Sequence, residues 1–507
     1  MATLFGNGVV MDAFAVAFRI PNLSRKLFGE GALSTAFIPA FVREINDSGI
    51  ESAWRLASAL LTSLALALSG LVLIAELVLW CVSWLWNFGP ETELLIGLTA
   101  VMLPYLVLIC LAAQVSAVLH AVGHFTWPAL LPVMLNIVWI AAIWLLAPLF
   151  SSPIQQVYAL AGCIVATGIF QVVAPLPTLW RLGFRYDNHW HTTRQKVAGI
   201  TRVMLPVLVG LSITQLNSLC DSLIAWGFSR PVEDSASSFL FGLIDYPLRS
   251  GTASALYFGQ RMYQFPLGVF GVALGTVFFP LLSRHAERGD FHRLKDDLTL
   301  GLRLVIVIGL PASVGLALLA KPLTALLFQH GAFDSEDASQ TAEMISAYAI
   351  GVWAYCGLLI VHRGYYAIGD RQTPLRTGVL AVLLNLSLNF TLMWKLGGRG
   401  LALSTAICAI VHVSASAWLL WNQHIRFEWS QLLRVAWRAT VATATMSLVC
   451  LISLQQIDPQ PDLPNRLLQV FVPMLFSVVT YLTAARLLRL DELWLLFSRQ
   501  PKNDNLR

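Results

Sequence analysis

Ala32-Leu33-Ser34-Thr35-Ala36-Phe37-Ile38-Pro39 returns 241 positions later as Ala273-Leu274-Gly275-Thr276-Val277-Phe278-Phe279-Pro280, identical at five of eight positions. Self-similarity at one offset marks an internal repeat. A second pair keeps nearly the same spacing. His120-Ala121-Val122-Gly123, running on to Pro128, and Tyr366-Ala367-Ile368-Gly369, running on to Pro374, share Ala, Gly and Pro at an offset of 246. The chain therefore consists of two corresponding halves.

The solvent of those halves follows from composition. Of the 507 residues, 57% are hydrophobic and 12% charged, with a mean hydropathy of +0.69; soluble domains carry about 25% charge. Apolar stretches long enough to cross a bilayer as helices recur throughout. Thirteen spans are expected, near 9–42, 54–84, 94–122, 129–149, 156–180, 200–228, 257–283, 299–328, 341–367, 375–394, 400–422, 434–454 and 467–488. Six spans separate the repeated elements, and six is even, so both halves cross the membrane in the same direction. Transporters built from parallel repeats place the substrate between two bundles and rock them to alternate access. The expected organisation is an amino-terminal lobe over 1–195, a second lobe over 196–425, and an appended helix pair with a tail over 426–507.

Lys and Arg concentrate in the loops that begin near 43, 181, 284, 371 and 426 and in the carboxy-terminal tail. The opposite loops hold Arg230, Arg249, Lys395, Arg399 and Arg466. By the positive-inside rule this places the carboxy terminus in the cytoplasm and the polar loop 229–255 outside. The seven cysteines stand singly in apolar sequence, with no CxxC pair, and His189 and His191 have no carboxylate or cysteine at ligand spacing. No metal or other cofactor is expected. The chain carries no GxxxxGK[ST] loop and no acidic constellation of the kind a membrane-embedded glycosyltransferase needs. A transporter driven by an ion gradient, the membrane potential or the substrate gradient is the expectation, not an enzyme, and the coupling ion is left open.

Charges inside the spans are the functional signal, since Lys, Arg or Asp at a helix centre costs about 2.5–3.5 kcal/mol on insertion scales. Asp12, Arg19, Arg25, Lys26 and Glu30 fall in the first span, interrupted by Pro21-Asn22, Gly29 and Gly31. Pro21 removes a helix hydrogen bond, so a break is expected there. Asp12 and Arg19 stand seven residues apart and can share a helix face. Arg261 stands nineteen residues before Pro280, much as Arg19 stands twenty before Pro39. The functional reading is a cationic cavity for a phosphate-bearing head group, which suits arginine's bidentate geometry. The plainer reading has Arg19 and Lys26 neutralising Asp12 and Glu30, or snorkelling to an interface. Gln215, Asn217 and Asp221 are weaker candidates, and His362 and Arg363 read as a cytoplasmic anchor.

Phe5-Gly6-Asn7-Gly8, Met11-Asp12-Ala13-Phe14, Ala17-Phe18-Arg19-Ile20-Pro21-Asn22-Leu23, Arg25-Lys26-Leu27-Phe28-Gly29-Glu30-Gly31-Ala32 and Ala36-Phe37-Ile38-Pro39 resemble the amino-terminal signature of the MurJ (MviN) family. Further matches are Phe265-Pro266 through Gly271-Val272-Ala273-Leu274-Gly275-Thr276, Pro322-Leu323 with Leu327-Phe328-Gln329-His330-Gly331, and Tyr365-Tyr366-Ala367 with Thr373-Pro374. The resemblance implies the MATE-like all-α fold of the multidrug/oligosaccharidyl-lipid/polysaccharide exporter superfamily, with two carboxy-terminal helices that hold a polyprenyl tail. It implies flipping of lipid II, the undecaprenyl-pyrophosphate-linked peptidoglycan precursor, across a bacterial inner membrane. It also implies cavity roles for residues matching Arg25, Arg261 and Asp12. Family members carry fourteen spans, and the first, with its SRxxGFxRD-type run, has no counterpart beyond Met1–Gly6. Expected partners are the lipid-linked precursor, membrane lipids and cell-wall synthesis proteins, with no nucleic acid. The rival is an exporter of another polyprenyl-linked saccharide; a drug antiporter would need acidic sites for organic cations, and the candidates here are mainly basic.

Overall fold

The computed structural model describes residues 1–27, 33–187, 190–230, 238–239, 244–458 and 462–495. Backbone groups in hydrocarbon must be satisfied within the segment that carries them, and the chain answers with helices. Its packing divides it into two compact units that change over between Gly227 and Phe228.

The first unit contains α1 (Ala2–Phe5), α2 (Val9–Ser24), α3 (Leu33–Ser48), α4 (Ile50–Leu85), α5 (Pro90–Ala121), α6 (Thr126–Ala141), α7 (Pro153–Val173), α8 (Leu176–Arg181) and α9 (Trp190–Gly227). α5 is its axis and packs against α2, α4 and α7. Leu98, Met102, Tyr105, Cys110 and Val118 are all buried on it. The α5–α7 contact needs Gly168, where a Cβ would stand 2.6 Å from the Tyr105 ring. Small residues let helix backbones approach where lipid supplies no hydrophobic drive.

The second unit begins with a pair of two-residue strands, Ser238–Phe239 and Ile244–Asp245. It continues through α10 (Thr252–Pro266), α11 (Ala273–Glu287), α12 (Phe291–Leu318), α13 (Ala320–Leu327), α14 (Ser335–Ala349), α15 (Val352–Ala367), α16 (Gln372–Leu396) and α17 (Gly398–Gln423). It ends in α18 (Trp429–Gln455), α19 (Leu463–Leu487) and α20 (Glu492–Leu495). α15 packs on α11, α12 and α17, and Leu298, Ile360, Val361, Tyr365 and Leu420 form the buried centre there. α16 and α17 are joined by polar groups: the Asn389 amide donates to Asn385 Oδ1 at 3.0 Å, Asn385 donates to Thr405 Oγ1 at 3.3 Å, and Ser404 donates to Asn389. Each buried amide thus has a partner, which is what makes it tolerable in an apolar bundle.

Ten helices among the described residues are long and apolar enough to cross a membrane, or eleven if α14 and α15, bent by 40°, count as one span. The expected thirteen is not reached on that measure. The first expected span is two helices of 16 residues each, shorter than the roughly 20 a crossing needs. α9 carries Arg194, Lys196 and Arg202 in its first half and an uncharged stretch over 203–220. The irregularity falls just past Pro21, where the charges cluster. α2 runs through Pro21 to Ser24 and is followed by π-helical residues 25–27. One missing N–H is carried by the helix, and the wider turn follows it.

The repeat is visible as local structure. α10 ends at a proline, Pro266, passes into a π-helical segment, Leu267–Val272, and resumes as α11. In both repeats a proline-bearing helix thus passes into π-helical residues.

The α18–α19 hairpin is fixed to α12 by specific bonds. The Tyr481 hydroxyl donates to the Val307 carbonyl at 2.5 Å, and Arg303 Nε donates to Glu492 Oε1 at 2.8 Å. Glu492 is 3% exposed. Removing one partner of a buried pair strands the other charge, at a cost of about 3–5 kcal/mol. Arg303→Ala should therefore lower the thermal midpoint of the detergent-solubilised protein sharply. Replacing both members, Arg303→Met with Glu492→Leu, should hold it near wild type.

Candidate functional site

The first-unit candidates lie on α2 and its π turn. Asp12 is buried, at 2% exposure, among Met11, Phe14 and Val16, while Arg19 is half-buried. They share a face at their spacing of seven, as expected. Arg19 reaches α9, where its Nη1 donates to Ser218 Oγ. Ser218 sits between Asn217 and Asp221, and Asp221 is itself 2% exposed. Arg19 thus meets α9 at Ser218, on the stretch that carries the weaker sequence candidates. Arg25 Nε donates to Asn22 Oδ1 at 3.2 Å, and both Arg25 and Lys26 are half-buried. Asp12, Arg19, Arg25 and Lys26 each make further interactions. Glu30 lies outside the described residues.

In the second unit, Arg261 is exposed on α10, within the apolar stretch Thr252–Glu287. Its guanidinium lies over the Tyr257 ring at 4.9 Å, and Nη2 donates to the Tyr257 hydroxyl at 3.1 Å. That partner is neutral, and no carboxylate pairs with Arg261 among the described residues. The cation is steadied with its charge intact, which suits it to an anion.

Arg363, read from sequence as an anchor, lies over the ring of Phe279, a residue of the repeated motif, at 4.9 Å. Sequence reasoning passed over Ser218 and Tyr257. Tyr257 carried a signal, being four residues before Arg261 and so on its helix face. Ser218 carried none beyond its polar neighbours.

α9 is tied to α3 at its polar end. Glu44 is buried, and Lys196 Nζ donates to its Oε1 at 2.6 Å, with Ser52 donating to the same oxygen. Burial alone would raise the Glu44 pKa, but these donors outweigh it and hold the carboxyl below its ordinary value of 4.5.

The sequence profile of the family described as "Lipid II flippase MurJ" matches residues 1–460. A "Probable lipid II flippase MurJ" of Vibrio cholerae is 32% identical over 427 residues, covering 82% of this chain and 77% of its own. A "Lipid II flippase MurJ" of Burkholderia cenocepacia is 32% identical over 421 residues, covering 81% and 77%. The fold is similar to a solved "Lipid II flippase MurJ, inward closed conformation", at a TM-score of 0.75 with 22% identity, covering 97% of this chain and 96% of that one. It is also similar to an inward-facing MATE family multidrug resistance transporter of the MOP superfamily, at a TM-score of 0.65 with 15% identity, covering 86% and 95%.

A carboxyl with a depressed pKa stabilises the fold above its unfolded value and loses that contribution as pH falls through its folded one. The docking of α3 on α9 should therefore weaken as pH drops below about 4.5, the ordinary value for Glu44. Lys196→Met should flatten that dependence in thermal melts taken between neutral and acidic pH.

Proposed function

The chain belongs to the lipid II flippase MurJ family, and from that premise we propose that it carries the undecaprenyl-pyrophosphate-linked peptidoglycan precursor from the inner to the outer leaflet of a bacterial inner membrane. It is a transporter and not an enzyme, and it works by alternating access between its two repeats. The sequence repeats meet near residue 195, one helix before the packing boundary at Gly227. In repeat terms the lobes are 1–195 and 196–425, with the helix pair of 426–507 appended and the carboxy terminus on the cytoplasmic side.

The observation that carries the reading is Arg261, an exposed cation in an apolar helix whose partner is a tyrosine ring and not a carboxylate. A pyrophosphate offers several oxygens to a planar guanidinium, and charge-assisted bonds to it are about twice as strong as neutral ones. Arg25 supplies a second cation from the first repeat, and Lys26 a third. Arg19 is bound to α9 through Ser218 and sets the position of α2. Asp12 balances positive charge on the same helix. Glu30 is assigned with them by its place in the amino-terminal motif.

Driving energy comes from an ion gradient, the membrane potential or the substrate gradient; one charge crossing 100 mV is worth about 2.3 kcal/mol. Cell-wall synthesis proteins are the natural consumers of the product.

The test is complementation in bacteria depleted of their own lipid II flippase, reading lipid II exposed at the outer face at matched expression. Arg25→Ala and Arg261→Ala should each lower exposure tenfold or more. Tyr257→Phe, which keeps the ring under the guanidinium, should lower it two- to threefold. Failure of the well-expressed parent to restore exposure would overturn the reading.

A further inference from the structure

The segment between α8 and α9 plays no part in the reading above, yet it is held in place with unusual care for a connection. Phe184 is buried, its ring edge-on to Trp54 at 5.5 Å. The Asp187 amide donates to Ser58 Oγ at 3.3 Å, and the Tyr186 hydroxyl shares a hydrogen bond of 2.7 Å with Thr62 Oγ1. Trp54, Ser58 and Thr62 occupy successive turns of α4, about 6 Å apart. The connection thus climbs about one turn along α4, and Tyr186 reaches one turn further.

The depth of that climb can be read from α4 itself. Arg55 is its last charged residue before an apolar run that continues to Glu76. Residues 184–187 therefore lie where head groups give way to acyl chains.

At that depth the segment displays arginine and aromatic side chains. Trp180 is 52% and Tyr186 61% exposed, and Arg181 and Arg185 are both exposed. Arg185 Nη1 donates to the carbonyls of Trp180 at 3.4 Å and Phe184 at 3.2 Å. Those bonds fix the guanidinium on the turn while using one of its three nitrogens. Asp187 is the one carboxylate between 174 and 205. Paired arginines match phosphate geometry, and Trp and Tyr favour the membrane interface.

We propose that residues 180–186 bind the phosphodiester head group of an anionic phospholipid in the cytoplasmic leaflet. Arg181 and Arg185 take the phosphate, and Trp180 and Tyr186 flank the glycerol. The site lies wholly within the first unit and uses none of the residues assigned to lipid II.

The test is equilibrium binding of radiolabelled phosphatidylglycerol to the purified full chain in dodecyl maltoside micelles, with unlabelled phosphatidylcholine or inorganic phosphate as competitors. Saturable binding that neither competitor displaces is expected. Arg181→Gln and Arg185→Gln should each weaken it about tenfold, Arg185→Lys less, and Arg434→Gln, an exposed arginine elsewhere, not at all. The Arg181 side chain makes no hydrogen bond within the turn among the described residues, so its variant carries the test if Arg185→Gln fails to fold. Parent-like binding by Arg181→Gln would overturn the proposal. So would displacement by phosphatidylcholine, or by inorganic phosphate, which would mark a free-anion site. No transport is measured, so failure of the flippase reading would leave this result standing.

Discussion

Hydrocarbon offers no hydrogen bonds, and the helices of this molecule are built around that fact. Backbone groups are satisfied within helices, and the exposed faces of those helices are apolar, as on α4, where Leu66, Leu73, Ile74 and Trp84 are each more than half exposed. Polar side chains survive at depth by pairing, as Asn385 and Asn389 do with Ser404 and Thr405. A charge that stands in an apolar helix with no opposite charge paired to it among the described residues calls for a use. That is why Arg261, on a tyrosine ring, weighs more in the functional argument than any number of loop arginines.

The π turns belong to the same logic. A π turn leaves backbone carbonyls out of register with the helix on either side, which is costly in lipid and useful beside a ligand. Both repeats place π-helical residues a short way past a proline, and in the first repeat Arg25 and Lys26 sit among them. Retaining an irregular turn in two copies fits a working element better than a packing accident.

Much of this is legible in the sequence alone. Hydropathy marks the long helices because length and apolarity are local properties, and the offset of 241 exposes the repeat directly. The short first span is harder: Asp12, Arg19 and Pro21 signal irregularity among the clustered charges, but not that the helix runs on through Pro21 and turns π-helical four residues later. Partners distant in sequence are not legible. Ser218 lies 199 residues from Arg19, and nothing in composition or spacing selects it from other hydroxyls in apolar helices. Gly168 likewise looks like any membrane glycine until Tyr105 is seen against it.

α9 has a double allegiance. By sequence it follows the joint between repeats, yet its bonds from Lys196 to Glu44 and from Ser218 to Arg19 tie it to the helices before that joint. α9 therefore belongs with the first unit by its bonds, although it follows the joint in sequence. A gene cut at the repeat boundary would yield fragments of which the first lacks a wall and the second has one to spare. The natural place to divide the molecule into co-expressed pieces is after Gly227, where the packing itself divides.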